Sequence, residues 1–232
     1  SSLKCLVRLG DFVQWLEDFR KESLEKFQQF PAENSELFKH KTLFKDFDFQ
    51  FSDTKEISFD KKFFESPAAE KVLIKPLMES LPLLRRLIEG NNIDDKFIQM
   101  NNSFFNSGLF IYIPNDVEVK DTLRLYSKID GNVFSKIIIL AGENSKLDVI
   151  KEDFSEDSDE KFIFSDSVEI FLDDSAEINF SNIQNVNENI FVFSNKLVTC
   201  KKDSKINWNI GHFGGSKVRS RIYNKMLGEG SS

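Results

Sequence analysis

The chain is poor in the residues on which most catalytic and metal-binding chemistry is built. Among 232 residues there are 2 cysteines, Cys5 and Cys200, and 2 histidines, His40 and His212. The cysteines form no C-x-x-C pair, so neither a zinc knuckle nor a disulfide framework is encoded, and a reducing compartment is the default. No Gly-x-x-x-x-Gly-Lys run and no Gly-x-Ser-x-Gly elbow occurs, which removes a phosphate loop and a serine-hydrolase nucleophile. Positive charge is also scarce: 31 Lys and Arg stand against 38 Asp and Glu, a net charge of -7, the wrong sign for a nucleic-acid groove. No apolar run approaches the ~18 residues of a membrane span, and the first residues lack a signal-peptide core. These absences predict a soluble protein, cytoplasmic or inside an organelle, with no nucleic-acid or membrane partner.

Phenylalanine is what the chain has in quantity, 25 residues beside 2 Trp and 3 Tyr. Aromatic mass of this kind needs no hydrogen-bond partner and serves packing. In residues 11–30, Phe12, Val13, Leu16, Phe19, Leu24 and Phe27 recur at helical spacing and predict an amphipathic helix that Pro31 ends. A second helical stretch, residues 67–89, carries Val72, Leu73, Leu77, Leu81, Leu84 and Leu87, and Pro76 and Pro82 inside it predict two short helices or a kink. Residues 44–59 alternate as a strand around Phe47, Phe49 and Phe51. The charge run at residues 151–161, KEDFSEDSDEK, reads as a solvated loop.

After Asn91 helical periodicity gives way to β-branched and Phe-rich runs separated by Gly, Asn, Asp and Ser, and this part contains a repeat. GENSKLDVI at residues 142–150 recurs as DDSAEINF at 173–180 and KKDSKINW at 201–208, aligning Ser145, Ser175 and Ser204. IPNDVEV at 113–119 sits one step upstream, with Val117 in the equivalent place. A period near 30 residues implies a solenoid, in which each turn buries its inward side chains only by stacking on its neighbour. Expected inward residues include Ile137, Ile139, Leu147, Val149, Ile170, Ile178, Phe180, Phe191, Phe193, Val198, Ile206 and Trp208. A β-sandwich is the rival, and it predicts no repeated corner.

NNSFFNSGLFIYIPNDVEV (101–119), SAEINFSNIQN (175–185), FVFSNK (191–196), WNIGHFGG (208–215) and GEG (228–230) follow one another in an order and spacing that resembles the SufB/SufD family of iron-sulfur cluster assembly proteins. Pro31, Glu36, Phe38 and Lys39 resemble that family's N-terminal pattern, with Phe in place of Trp. The chain lacks the Gly-Cys-Ser motif of SufB, and residues 212–215 resemble SufD more closely. The resemblance implies a mainly β protein with N-terminal α structure: a small helical or α+β region (1–95) before a right-handed parallel β-helix (96–232), cut short before the C-terminal part. It also implies a scaffold, not an enzyme, working in the SUF machinery of the cytoplasm or a plastid-type organelle. Its partners would be a SufB/SufD paralogue and the ATPase SufC, and an iron-sulfur cluster would be present only transiently in the full complex. A carbohydrate-active or purely structural β-helix is the alternative.

By the same resemblance, Gln184 and Lys196 occupy positions tied to a sulfur path through the interior, although the Trp that accompanies the Gln in many relatives is Val186 here. Cys200 could receive persulfide sulfur if a base such as Lys196 lowered its pKa; read from its residue type alone, it is a small buried strand residue. His212 reads as a turn residue, Gln184 and Lys196 read as corner residues if they have no role, and no metal site is expected. An incomplete last turn, around residues 206–227, would be prone to self-association through its open edge.

Overall fold

The computed structural model of the chain describes residues 2–32, 56–91 and 93–232. Residues 33–55, with Glu36, Phe38, Lys39, His40 and most of the expected strand at 44–59, lie outside what is described, as does the side chain of Cys5. Two sheets face each other across a shared interior. One, in the order β11-β9-β7-β5-β3-β2, contains β2 (Leu73–Pro76), β3 (Ser107–Ile113), β5 (Val133–Ala141), β7 (Phe162–Leu172), β9 (Ile190–Cys200) and β11 (Lys217–Met226). The other, in the order β1-β4-β6-β8-β10, contains β1 (Ser58–Phe59), β4 (Leu123–Lys128), β6 (Lys146–Phe154), β8 (Glu177–Val186) and β10 (Lys205–Gly214).

From β3 onward the chain alternates between the sheets, and within each sheet every strand pairs in parallel with the one a full turn away. That is a β-solenoid and excludes the sandwich. Among the described strands only β1 and β2 join antiparallel, at the first rung.

One corner repeats from turn to turn. Asp116, Asn144, Ser175 and Asp203 all adopt a left-handed backbone, with φ of 59°, 56°, 59° and 55°. Each donates its amide to a carbonyl of the next turn: Glu143 O, Asp174 O, Lys202 O and Glu229 O, at 2.8–3.0 Å. The three serines share this corner, but the register differs from the simple alignment. Ile178 pairs with both Leu147 and Ile206, so Ser145 and Ser204 are matched by Ala176, and Ser175 takes the left-handed place filled by Asn or Asp elsewhere. Asn and Asp tolerate that conformation because their short side chains bond locally.

The two sheets differ in texture because they differ in what covers them. The β4-β6-β8-β10 sheet has solvent on its outer face, so β6 and β8 alternate buried and partly exposed residues. The outer face of the other sheet lies under helices, and β5, β7 and β9 are buried almost continuously. Trp15, Leu16 and Phe19 of α1 (Ser2–Gln29), Leu77, Leu81, Leu84 and Ile88 of α2 (Leu77–Gly90), and Phe97 and Met100 of α3 (Lys96–Phe104) pack there against Phe110, Phe134, Ile138 and Phe193. Phe193 is therefore buried but faces outward, stacked on Phe97 with ring centroids 4.4 Å apart. Phe191 packs on the same outer layer. Both were expected inside the solenoid.

Of the stretch 67–89 only the part from Leu77 onward is α-helical, as the single helix α2, and Val72 and Leu73 lie before it. A short 3-10 turn and β2 precede it, Pro76 sits at its N-cap, and Pro82 lies within α2. Pro82 removes the amide that would bond to Met78, whose side chain is on the exposed side. The helix α3 breaks the expectation of an all-β second half. Asp95 caps it, accepting from the amides of Phe97 and Ile98.

The corner makes a stability prediction. Ser175→Asn, which matches the other turns, should stabilise the fold by up to about 1 kcal/mol, whereas Ser175→Val should cost about 1–2 kcal/mol. Urea denaturation of the three proteins measures this, and an equal midpoint for all three would refute the corner argument.

Candidate functional site

Inside the solenoid, apolar rows give way toward the C-terminal ends of the β4-β6-β8-β10 strands to a row of polar side chains. Strand alternation points Leu147, Val149, Lys151 and Asp153 of β6 inward, and the same rule aims Asn182 and Gln184 of β8 and His212 of β10 into the interior. Across the interior, Ser135 of β5, Asp166 of β7 and Ser194 and Lys196 of β9 face them. Lys151, Asp153, Asp166 and Lys196 are all at most 1% exposed. Lys151 and Asp153 therefore belong to a strand interior and not to the solvated loop that their charge run suggested.

These groups form one network joining the two sheets. Lys151 Nζ pairs with Asp153 and lies 3.2 Å from Asp166 Oδ1. Lys196 Nζ pairs with Asp166 Oδ2 and donates to Ser194 Oγ at 2.8 Å. Ser135 Oγ donates to Asp166 at 2.9 Å, and Asn182 Nδ2 donates to Asp153 Oδ2 at 2.8 Å. Two ammonium groups are matched by two carboxylates, which is the condition for holding such charge away from water.

The match is asymmetric. Burial pushes the Asp166 carboxyl up, but Lys151 and Lys196 together outweigh it and hold it well below the usual carboxylate range. Burial opposes the charge on Lys151, but Asp153 and Asp166 overcome it and raise its pKa. For Lys196 burial prevails: Asp166 is its carboxylate partner, Lys151 repels it, and its pKa falls. Of the network's two amines, Lys196 is thus the one nearer to neutrality.

Gln184 and His212 extend the row. Gln184 Nε2 donates to Phe213 O at 2.9 Å, so its Oε1 is the acceptor facing His212 Nδ1 at 2.8 Å. That assigns the proton to Nδ1 and leaves a lone pair on Nε2. Burial and Lys196 both depress the imidazole pKa, and Nε2 is buried with no hydrogen-bond partner among the described residues. His212 is therefore a neutral strand residue. The turn expected there is formed instead by Gly214 and Gly215 at φ of 74° and 84°, where a side chain on Gly214 would strike Val186 O.

Cys200 does not join this group. It lies on the inward face of β9, four residues beyond Lys196 or roughly 13 Å along the strand, in a row with Leu172. Burial raises its thiol pKa, against a hydrogen bond with Ser204. Lys196 is not the base that activates it. The structure thus brings Lys196 and Gln184 into one polar row and separates Cys200 from them. Lys151, Asp153, Asp166, Asn182 and His212 were missed as site residues. The signal available for Lys151 and Asp153 was the period-two alternation running on from Leu147 and Val149. Among the described residues no group of three His, Cys, Asp or Glu is placed to hold a metal ion, and no described helix is long and apolar enough to cross a membrane.

Residues 125–232 match the family described as SUF system FeS cluster assembly, SufBD core domain. This part of the β-helix is similar to that family's core domain. Curated relatives include an iron-sulfur cluster assembly SufBD family protein of Staphylococcus epidermidis, 26% identical over 142 residues, which is 60% of this chain and 30% of that protein. A Staphylococcus aureus family member has the same identity over the same length. The iron-sulfur cluster assembly protein SufD of Bacillus subtilis is 21% identical over 148 residues, 62% of this chain and 34% of its own length. The chain thus spans about a third of the length of the relatives it matches.

The solenoid's ion network predicts specific losses. Asp166→Asn leaves two buried ammonium groups against one carboxylate and should cost about 3–5 kcal/mol, while adding Lys196→Met should restore a large part of it. Chemical denaturation of the single and double variants reads this out, and additive losses would refute the network. Because the folded Asp166 pKa is depressed, its contribution is present above the ordinary carboxylate pKa and is lost as pH falls through the folded value. By NMR of labelled lysine side chains, Lys196 should deprotonate at lower pH than Lys151, and Lys151→Met should move the Lys196 midpoint upward.

Proposed function

We propose that this chain supplies part of a SufD-like, non-catalytic scaffold for iron-sulfur cluster assembly in the cytoplasm or a plastid-type organelle. It works beside a SufB/SufD paralogue and a SufC ATPase. Within it, the polar row around Lys196 and Gln184 lines an internal path for sulfur. The observation that carries the reading is the buried row itself: a SufBD core that keeps a pair of ammonium groups, a neutral imidazole and an amide inside its solenoid. Charge and hydrogen-bonding groups there suit an anionic sulfur species, because Lys151 stays charged while Lys196 and His212 Nε2 can take up and return a proton. The cluster and its sulfur are cargo of this scaffold. Cys200 stands outside the path, since its thiol is raised by burial and Lys196 is out of reach.

A carbohydrate-active β-helix would need carboxylates clustered on an exposed face. Here the carboxylates on the strands of the open sheet are engaged by neighbours, Glu152 with Arg124, Glu177 with Lys146, and Asp148 with Asn179, and the exposed Asp157, Asp159 and Glu188 lie on loops beyond the strand ends.

Co-expression of the chain with the SufB/SufD and SufC proteins of its own genome tests both levels of the proposal. The chain should co-purify with them, and Lys196→Met should lower incorporation of labelled persulfide sulfur roughly tenfold or more while the complex stays intact. Gln184→Leu should act in the same direction, and Cys200→Ser should leave incorporation unchanged. Failure to co-purify would remove the scaffold reading; normal incorporation with Lys196→Met would remove the path.

A further inference from the structure

Apart from the partly exposed Tyr126 and Ile150, the open face of the β4-β6-β8-β10 sheet is polar except at one end. There Phe154, Ile183 and Phe213, on three successive rungs, are 42%, 45% and 58% exposed. Phe154 pairs in register with Asn185, and Asn185 with Phe213, so the two rings lie in one row two rungs apart, roughly 10 Å. Ile183 stands two residues back on the middle rung. Nothing in solvent favours three large, well-exposed apolar side chains on a face that alternation makes mostly polar. Immediately beside them opens a cleft of about 710 Å³, bordered by Asn185 and Gly214 and lined by the exposed carboxylates of Asp157, Asp159 and Glu188.

We propose that this composite surface docks a basic amphipathic helix of a partner protein, a role separate from the sulfur path inside the solenoid. The roughly 10 Å between Phe154 and Phe213 is the rise of seven helical residues, so apolar residues at i, i+3 or i+4, and i+7 would meet Phe154, Ile183 and Phe213 in turn. The acidic cleft at one end selects Lys or Arg beyond those anchors and fixes the direction of the helix. The same carboxylates repel nucleic acid and anionic lipid, which leaves a protein segment as the occupant.

The probe is a Leu/Lys peptide of about 14 residues patterned for one apolar stripe, with its Leu/Glu counterpart as the comparison, followed by fluorescence anisotropy on the intact chain. The Leu/Lys peptide should bind saturably and at least roughly tenfold tighter than the Leu/Glu peptide. Ile183→Ser with Phe213→Ser keeps the net charge and should weaken binding roughly tenfold. Asp157→Asn with Asp159→Asn and Glu188→Gln should weaken it and flatten its dependence on salt. Circular dichroism establishes that each variant is folded, and Phe213→Ser alone, at the most exposed position, serves if the double variant is not. Absence of saturable binding, equal affinity for the two peptides, or undiminished affinity in the apolar variants would overturn the proposal. So would light scattering that shows the chain dimerising in a manner abolished by Phe213→Ser, since the surface would then belong to a second copy.

Discussion

A turn of this chain cannot bury its inner side chains against itself; it can do so only by lying in register on the turn before it, and that constraint underlies every other feature. Parallel pairing at steps of 26 to 31 residues satisfies the backbone polar groups between turns. It also forces residues of equal depth into rows. A row of Ile137, Val168 and Lys196 places a charge directly beside apolar neighbours, so a charged residue admitted there must find its partner on the same face of its own strand, on an adjacent rung or across the interior. The corner residues Asp116, Asn144, Ser175 and Asp203 hold the register by reversing the chain at the same depth in each turn.

The buried ion network follows from this geometry. Taking two ammonium groups and two carboxylates out of water costs several kcal/mol per ion, and mutual attraction offsets the cost only when each group is also hydrogen-bonded. Ser135, Ser194 and Asn182 complete that coordination. A purely apolar interior would be at least as stable, which is why charge retained at this depth points to use. The unequal sharing of Asp166 between Lys151 and Lys196 turns a structural bridge into a pair of amines with different proton affinities.

The solenoid was legible in the sequence because its repeat survives in hydrophobic period and in corner chemistry. Serines were the visible marks, but the conserved physical requirement is a left-handed residue followed by a small buried one, so aligning Ser175 with Ser145 and Ser204 slipped the register by one. Phe193 and Phe191 were assigned to the wrong face because a strand covered on both sides loses its alternation, and nothing local says which side is the interior. α3 escaped notice for a different reason: Gln99, Asn101, Asn102 and Ser103 make it polar, yet they are buried against the sheet, where Asn101 bonds Ser135 O and Ser165. Its one local signature is the cap at Asp95. Of the interior site, Gln184 and Lys196 were accessible through family resemblance, whereas Lys151 and Asp153 were hidden in a run of charges whose average reads as solvent-exposed.

The outer helical layer and the inner network meet on one strand. β9 turns Ser194 and Lys196 into the interior, and its opposite face sets Phe193 under Phe97 and Asn195 beside Arg219. Arg219 of β11 pairs with Asp95, the cap of α3, and Tyr223 donates to the same carboxylate. Burial and the nearby Asp95 charge push the Tyr223 hydroxyl up to about 12, so it remains a donor across the physiological range. One carboxylate thus caps the start of a helix and fixes the strand next to β9. Because a strand is stiff across its own width, holding its outer face also holds the depth at which Lys196 presents its amine within the solenoid.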